Sequence, residues 1–186
     1  IILKVENLNV QNEMIKHKKD LDDVSFSVRS GEILGVAGVE GNGQYELVQA
    51  IMGLVKSTGI IQIENEDISS YSIGERRRKI SYVPQDRKQS GSSQAETIMM
   101  NSMMTHHYVN PNVAGKKGIL NKKGCRALAD NIVKDYQVSC QGIDMPIGSL
   151  SGGNQQKVII GREFELENRV LVVDQPVRGL DVGSIE

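Results

Sequence analysis

The sequence predicts an α/β fold: a parallel-sheet core, an antiparallel β patch near the N-terminus, and a helical stretch inserted before the last strand. Three observations predict it. The apolar run Ile33 to Ala37 leads into the glycine-rich stretch Gly38 to Gly43, and a helical spacing of apolar residues follows at once. A second run, Val170 to Val173, is apolar throughout and ends in Asp174, the pattern of a central parallel strand. Near the start, Val24-Ser25-Phe26-Ser27-Val28 alternates with period two, as a half-buried strand does.

In chain order, Ile2-Leu3-Lys4-Val5 and Val24 to Val28 read as strands, and Ser30-Gly31 as a turn. Ile33 to Ala37 reads as a short buried strand. From Tyr45 to Met52 the apolar residues Leu47, Val48, Ile51 and Met52 mark a helix, and Gly53 supplies its stop. Ile60, Ile61 and Ile63 mark another strand, placed with the first ones in the antiparallel patch. Ile80 to Val83 is a short strand ending at Pro84, and residues 86–95 form a polar, irregular, mobile loop. Residues 96–136 are helix-like, with breaks at Pro111 and Gly115 to Gly118. Met99, Met100, Met103 and Met104 recur there at helical spacing and read as a core or docking face rather than a cofactor site. His106 and His107 lack a third ligand and read as surface residues. A further helix runs from Asn154 to Phe164, opening at Ser151-Gly152-Gly153.

A chain of 186 residues suits one domain with a real core. Its net charge of −1 gives no field that would point to nucleic acid or an acidic membrane surface. No apolar run approaches the ~20 residues that span a bilayer, and no signal-peptide pattern opens the chain. The two cysteines, Cys125 and Cys140, read as ordinary thiols of a reduced, cytosolic setting. Starting at Ile1 rather than Met, and ending on Glu186 within a patterned segment, the chain reads as a piece of something longer, truncated at its C-terminus.

Gly38-Val39-Glu40-Gly41-Asn42-Gly43-Gln44-Tyr45 keeps the glycine frame of the phosphate-cradling pattern G-x-x-x-x-G-K-[S/T]. In that pattern glycines let backbone N–H groups aim at phosphate oxygens, and the helix that follows adds its positive N-terminus. The last two positions fail. Gln44 stands where a lysine would reach the terminal phosphates, and Tyr45 where a short hydroxyl would hold Mg²⁺. A charge pair near a surface is worth about 4 kcal/mol before desolvation, so half of it changes affinity more than tenfold. A dinucleotide fingerprint fits no register of residues 35–46.

Leu150-Ser151-Gly152-Gly153-Asn154-Gln155-Gln156-Lys157 places a hydroxyl and two small residues at a helix opening, where bare N–H groups face an anion. The octet resembles the signature of ATP-binding cassette (ABC) proteins, in the LSGGN form of carbohydrate and nucleoside importers. With it, Val170 to Asp174 resembles the Walker B strand, and Gly38 to Tyr45 a degenerate Walker A loop. Pro84-Gln85-Asp86-Arg87 is similar to the Q-loop, and Pro176 to Gly183 to the D-loop with Asp181, both in the form of the second of two tandem cassettes.

The resemblance implies a P-loop NTPase of the ABC ATPase type, with a RecA-like core. Residues 1–85 and 165–186 would form the core and antiparallel β part, and 86–164 the Q-loop and helical signature subdomain. It implies ATP and Mg²⁺ as cofactors, with Asp174 and Gln85 near the metal and Gln85 relaying movement to membrane subunits. Gln175 stands where a competent cassette has the glutamate that polarises water, and an amide has almost no basicity for that role. Residues 6–25 offer no aromatic for adenine, His17 being a poor substitute, and the switch histidine would lie beyond Glu186.

Cassettes of this family pair head to tail, each ATP lying between one phosphate loop and the other's signature. Here the departures fall on residues serving the chain's own loop, while Ser151, Gly152, Gly153 and Asn154, which would serve a partner's ATP, are intact. The implied function is energy coupling in a sugar or nucleoside importer. The implied partners are another cassette in the same polypeptide, transmembrane permease subunits, and indirectly a solute-binding protein, at the cytoplasmic face of the membrane and without nucleic acid. Two alternatives remain: a soluble ABC-type ATPase of the translation or DNA-repair class, and a non-catalytic nucleotide-sensing dimerisation domain.

Overall fold

The computed structural model describes residues 1–12, 14–15, 18–115 and 119–179. They fall into two compact units, Ile1–Ile80 with Asn168–Val172, and Ser81–Glu167 with the segment starting at Val173.

The first unit is built on an antiparallel sheet. Strand β1 (Leu3–Gln11) pairs with β2 (Lys19–Val28) on one side and with β3 (Thr58–Ile63) on the other, and the short β4 (Glu66–Asp67) closes the order β2-β1-β3-β4. This is the expected antiparallel patch, with longer strands than the sequence pattern showed. The reason lies at Asn7, whose φ of 50° marks an irregularity between Val5 and Leu8. Leu3 and Val5 are buried before it, Leu8 and Val10 after it, so the inward phase slips by one residue and the alternation is broken.

Helix α1 (Gln44–Met52) lies against β2 and buries Leu47, Ala50, Ile51 and Met52. Gly53, in the left-handed region at φ 75°, ends it, its N–H reaching the Ala50 carbonyl while Leu54 N–H reaches that of Gln49. A side chain adds a second donor to the Ala50 carbonyl and takes that of Ile51. Arg76, on the one-turn helix α2 (Ile73–Arg76), donates from Nη1 to the carbonyls of Ala50 and Ile51, both at 2.8 Å, and is almost fully buried. Its Nη2 and Nε reach the carbonyls of Ser69 and Tyr71. A guanidinium at a helix C-terminus satisfies orphan acceptors and complements the dipole.

Two expectations are corrected here. Residues 33–37 form no strand: Ile33 is 97% exposed, and Leu34 and Val36 are exposed too. An apolar run becomes a buried strand only with ladder partners, and among the described residues it has none. Strand β6 (Val170–Val173) does form, and among the described residues it pairs with β5 (Ile80–Val83) alone. Asp174 N–H, just past β6, reaches the Val83 carbonyl at 2.9 Å, so the two carboxyl ends lie side by side and the pair is parallel. Val170 is buried, but Leu171 and Val173 are exposed, because β6 has a single described neighbour.

In the second unit, residues 96–136 form α3 (Ile98–Ser102), α4 (His106–Val109) and α5 (Lys122–Asp135). The break at Pro111 is the expected one, the break at residues 103–105 is not, and residues 116–118 lie outside the described residues. Helix α6 (Gly152–Phe164) packs against α3 and α5. One apolar cluster gathers Ile98, Val138, Ile147, Leu150 and Val158; another gathers Met103, Val113, Cys125, Leu128 and Ile132, with Met99 and Met100 against it. Met99, Met100 and Met103 are therefore part of the core. His106 corrects the surface reading: it is fully buried, and its Nε2 donates to the Arg162 carbonyl at 2.8 Å. Its Nδ1 is then left to accept from the Asn110 amide at 3.3 Å. His107 is exposed, as expected.

Truncating the α1 cap tests this arrangement. Arg76→Met leaves the Ile51 carbonyl without its donor and that of Ala50 with the Gly53 N–H alone, and is expected to destabilise the fold by about 2 kcal/mol, read from denaturant unfolding.

Candidate functional site

The phosphate loop belongs to the first unit. Gly41 and Gly43 sit at φ 88° and 92°, where side chains are strained. A Cβ on Gly43 would also lie 2.6 Å from the Asp20 carbonyl oxygen, so the entry to α1 admits only glycine. Asn42 N–H closes onto the Val39 carbonyl at 3.2 Å, and Leu47 N–H makes a helical bond to Gly43. The loop residues Gly38, Val39, Glu40, Gly41 and Asn42 are exposed.

What fills the loop is its own side chain. The Gln44 amide Nε2 turns back and donates to the Val39 carbonyl at 3.2 Å. It lies so close over Gly38 that a Cβ there would be 2.0 Å from Nε2. Tyr45 is 54% exposed. The uncharged amide thus lies over Gly38 and against the Val39 carbonyl, and no cation stands at position 44.

The second unit holds Gln85, Asp174 and Gln175. Asp174 is buried and its Oδ2 has no hydrogen-bond partner. Burial pushes its carboxyl above the usual carboxylate range, with Arg178 opposing the shift. Gln175 is exposed and holds φ 45°, a left-handed position, and its carbonyl accepts from Arg178 N–H at 3.0 Å in the turn that follows. Gln85 is half-buried behind the buried Pro84. The loop after it is irregular, as expected, and begins with a side-chain turn. Asp86 Oδ1 accepts the N–H groups of Lys88 and Gln89, both at 2.9 Å, and these bonds hold its carboxylate below the usual range.

The helix expected after Ser151-Gly152-Gly153 forms as α6. Ser151 is exposed and caps α6, its Oγ accepting from the Asn154 N–H at 3.4 Å and from the Asn154 amide at 3.0 Å. Asn154 is therefore committed to bracing the turn, and its Oδ1 also accepts Ser139 N–H at 2.8 Å. Gly152 is half-buried and Gly153 buried. The result is a capped helix end that faces solvent with the positive pole of a 13-residue helix behind it. Asp181 and His17 lie outside the described residues.

Sequence reading missed two features. Arg162 and Glu163, at the far end of α6, form a buried ion pair at 3.0 Å. Arg162 Nη1 donates to the carbonyls of Gly91 and Asn101, and Glu163 accepts the Tyr82 N–H at 3.0 Å while its carbonyl takes the Ser81 hydroxyl at 2.7 Å. The strand that leads to Gln85 is thereby hung on the signature helix. The only signal was a pair of charges within a buried helical stripe. The second feature is Arg87, noticed only as part of a loop motif, whose guanidinium lies against Gly152.

These residues divide in how they fit ATP and Mg²⁺. The α6 end suits a phosphate oxygen: exposed, capped and electropositive. The unpartnered, buried Asp174 Oδ2 suits a hydrated cation. The loop from Gly38 to Tyr45 does not suit a metal-bound triphosphate, because Gln44 fills it and Tyr45 brings no short hydroxyl. Among the described residues no group of three His, Cys, Asp or Glu could hold a metal.

The fold is that of an α/β ATP-binding cassette. The chain belongs to the ABC transporter family, whose model matches residues 21–178. It is 39% identical over its whole length to the nucleoside import ATP-binding protein NupA of Lactococcus lactis subsp. cremoris, covering 36% of that protein. It is 36% identical, again over its whole length, to the guanosine import ATP-binding protein NupO of Bacillus subtilis, of which it covers 36%. With the galactose/methyl galactoside import ATP-binding protein MglA of Treponema denticola the identity is 36% over 98% of this chain and 35% of that one. The chain thus spans little more than a third of these relatives. Among solved structures, the dimeric ABC transporter cassette MJ0796 superposes with a TM-score of 0.81 over 98% of this chain and 78% of its own, at 23% identity. A nucleotide-free ATP-binding cassette from an ABC transporter gives 0.77 over 99% and 72%, at 27% identity.

The raised Asp174 carboxyl has a pH signature. For an acid whose folded pKa lies above its unfolded value, the stabilising contribution is present below the unfolded value, near 3.9, and lost as pH rises through the folded one. Asp174→Asn is therefore expected to raise the Tm of the ligand-free protein at pH 7, and the advantage should vanish near pH 3. Melting curves of both proteins across that window check it.

Proposed function

We propose that the chain is the second, degenerate cassette of a sugar or nucleoside import ATP-binding protein. Its Ser151, Gly152, Gly153 and Asn154 complete a partner cassette's ATP site, while its own site binds and hydrolyses ATP weakly or not at all. One observation carries this reading: the Gln44 amide closes the phosphate loop onto Val39, whereas the signature end of α6 stays exposed and capped. The import functions named for the relatives support the solute class.

In this reading each of the chain's residues has a definite task. Ser151 holds the first turn of α6 so that its free N–H groups point outward, toward a phosphate held by another cassette. Asn154 keeps that turn rigid through Ser139. Asp174 and Gln85 stand where a hydrated Mg²⁺ would be met, and Asp181 takes the D-loop contact across the pair. Gln175 is the reason for slow turnover even where nucleotide enters, since an exposed amide cannot polarise water as a carboxylate does.

The partners are a competent cassette in the same polypeptide, permease subunits that receive movement through Gln85, and a solute-binding protein at one remove. Nucleic acid is not among them. The place is the cytoplasmic face of the membrane, held peripherally; no described helix is long and apolar enough to cross a bilayer.

The test is steady-state hydrolysis by the intact tandem protein. Ser151→Glu sets a negative charge before the partner's phosphate and is expected to slow hydrolysis at least about 100-fold, the equivalent of ~2.7 kcal/mol. Gln44→Ala should leave the rate within about twofold. Equal losses from both changes would overturn the proposal.

A further inference from the structure

We propose that Arg87 is a positioning residue that locks the entry to the D-loop onto the first turn of the signature helix, so that both elements meet the partner cassette as one body. This rests on the trans-acting role proposed above. The Arg87 guanidinium donates from Nη1 to the Arg178 carbonyl at 2.9 Å and from Nη2 to the Gly179 carbonyl at 3.1 Å. Its other face lies on the signature: a Cβ built on Gly152 would stand 2.8 Å from Nη2 and 3.2 Å from Cζ. Two adjacent carbonyls are thus gripped by one planar fork, which is wedged beneath the residue that opens α6.

The placement does not favour stability for its own sake. A cation beside a helix N-terminus opposes the dipole. Arg87 Nε is buried without a partner, which costs free energy. What the arrangement provides is geometry. Residues 178–179 are exposed, and the fork joins them to Gly152. The base of Arg87 is itself fixed: its carbonyl accepts the Ser92 hydroxyl at 2.6 Å, and Gly91 packs against its Cα and carbonyl. Since Arg87 sits within the Asp86 turn, two residues after Gln85, a shift of that loop reaches both partner-facing elements through a single side chain.

A lysine keeps the charge but cannot span two carbonyls in one plane, so it separates geometry from electrostatics. Gly152→Ala attacks the same lock from the other side, pushing a methyl into the guanidinium. In the intact protein that carries this chain, Arg87→Lys is expected to speed amide exchange in residues 175–179 and 151–155 about tenfold, as loss of a charged hydrogen bond would, while β1 to β3 stay as protected as before. Gly152→Ala should speed exchange in 175–179, although it makes no bond there, and the double variant should add little to either. Hydrolysis by Arg87→Lys should lose about tenfold in kcat with the KM for ATP within about twofold. Unchanged exchange in Arg87→Lys, or additive effects in the double variant, would overturn the lock. Should hydrolysis prove indifferent to Ser151 while the exchange changes appear, the trans-acting reading fails and the lock stands.

Discussion

A helix that starts after a glycine turn presents N–H groups with no partner in the chain, and something must satisfy them. This protein builds two such ends and treats them differently. At α1, Gly43 gives no side-chain cap, and the neighbouring Gln44 folds its amide back over the loop to reach Val39. At α6, Ser151 provides a cap from its own hydroxyl, Asn154 braces it, and the end remains open to solvent. Both ends are of the kind that attracts an anion. One is overlaid by the Gln44 amide, which donates to Val39 and satisfies none of its N–H groups; the other is capped by Ser151 and open to solvent.

The asymmetry extends to the residues around each end. Tyr45 and Gln175 replace groups that would handle metal and water, and both are exposed and uncharged. The signature helix, by contrast, is anchored at both ends: at its start by Ser151, Asn154 and the Arg87 fork, and at its finish by the buried Arg162–Glu163 pair, which also holds the backbone of Tyr82. A buried pair of this kind is costly to desolvate and weak evidence for stability, but its many backbone bonds fix one geometry. The anchoring is thus concentrated on the helix that the proposal turns toward a partner cassette.

Much of this was readable from residues alone, and the failures have physical causes. The motifs were legible because glycine, serine and aspartate at fixed spacing leave few conformational choices; Gly43 and Ser151 stand where the pattern put them. The full lengths of β1 and β2 were hidden by the irregularity at Asn7, which shifts the inward phase by one residue. Residues 33–37 were over-read, because apolar composition carries no information about whether a ladder partner is present. Arg76, His106, Arg162 and Glu163 are buried charged or polar groups, and a sequence cannot say which polar side chain finds backbone partners deep in the fold. Arg87 was visible as a motif letter, but its two carbonyl partners lie about ninety residues away along the chain.

The central claim is that Gln44, uncharged and folded onto Val39, keeps this chain's own loop from holding nucleotide. Calorimetric titration of Mg-ATP into the chain, as it stands and as Gln44→Lys, measures this directly. The account predicts binding at least about tenfold tighter for the lysine variant, since even half of a surface charge pair exceeds 1.4 kcal/mol. Equal affinity in the two proteins, both binding tightly, would contradict it.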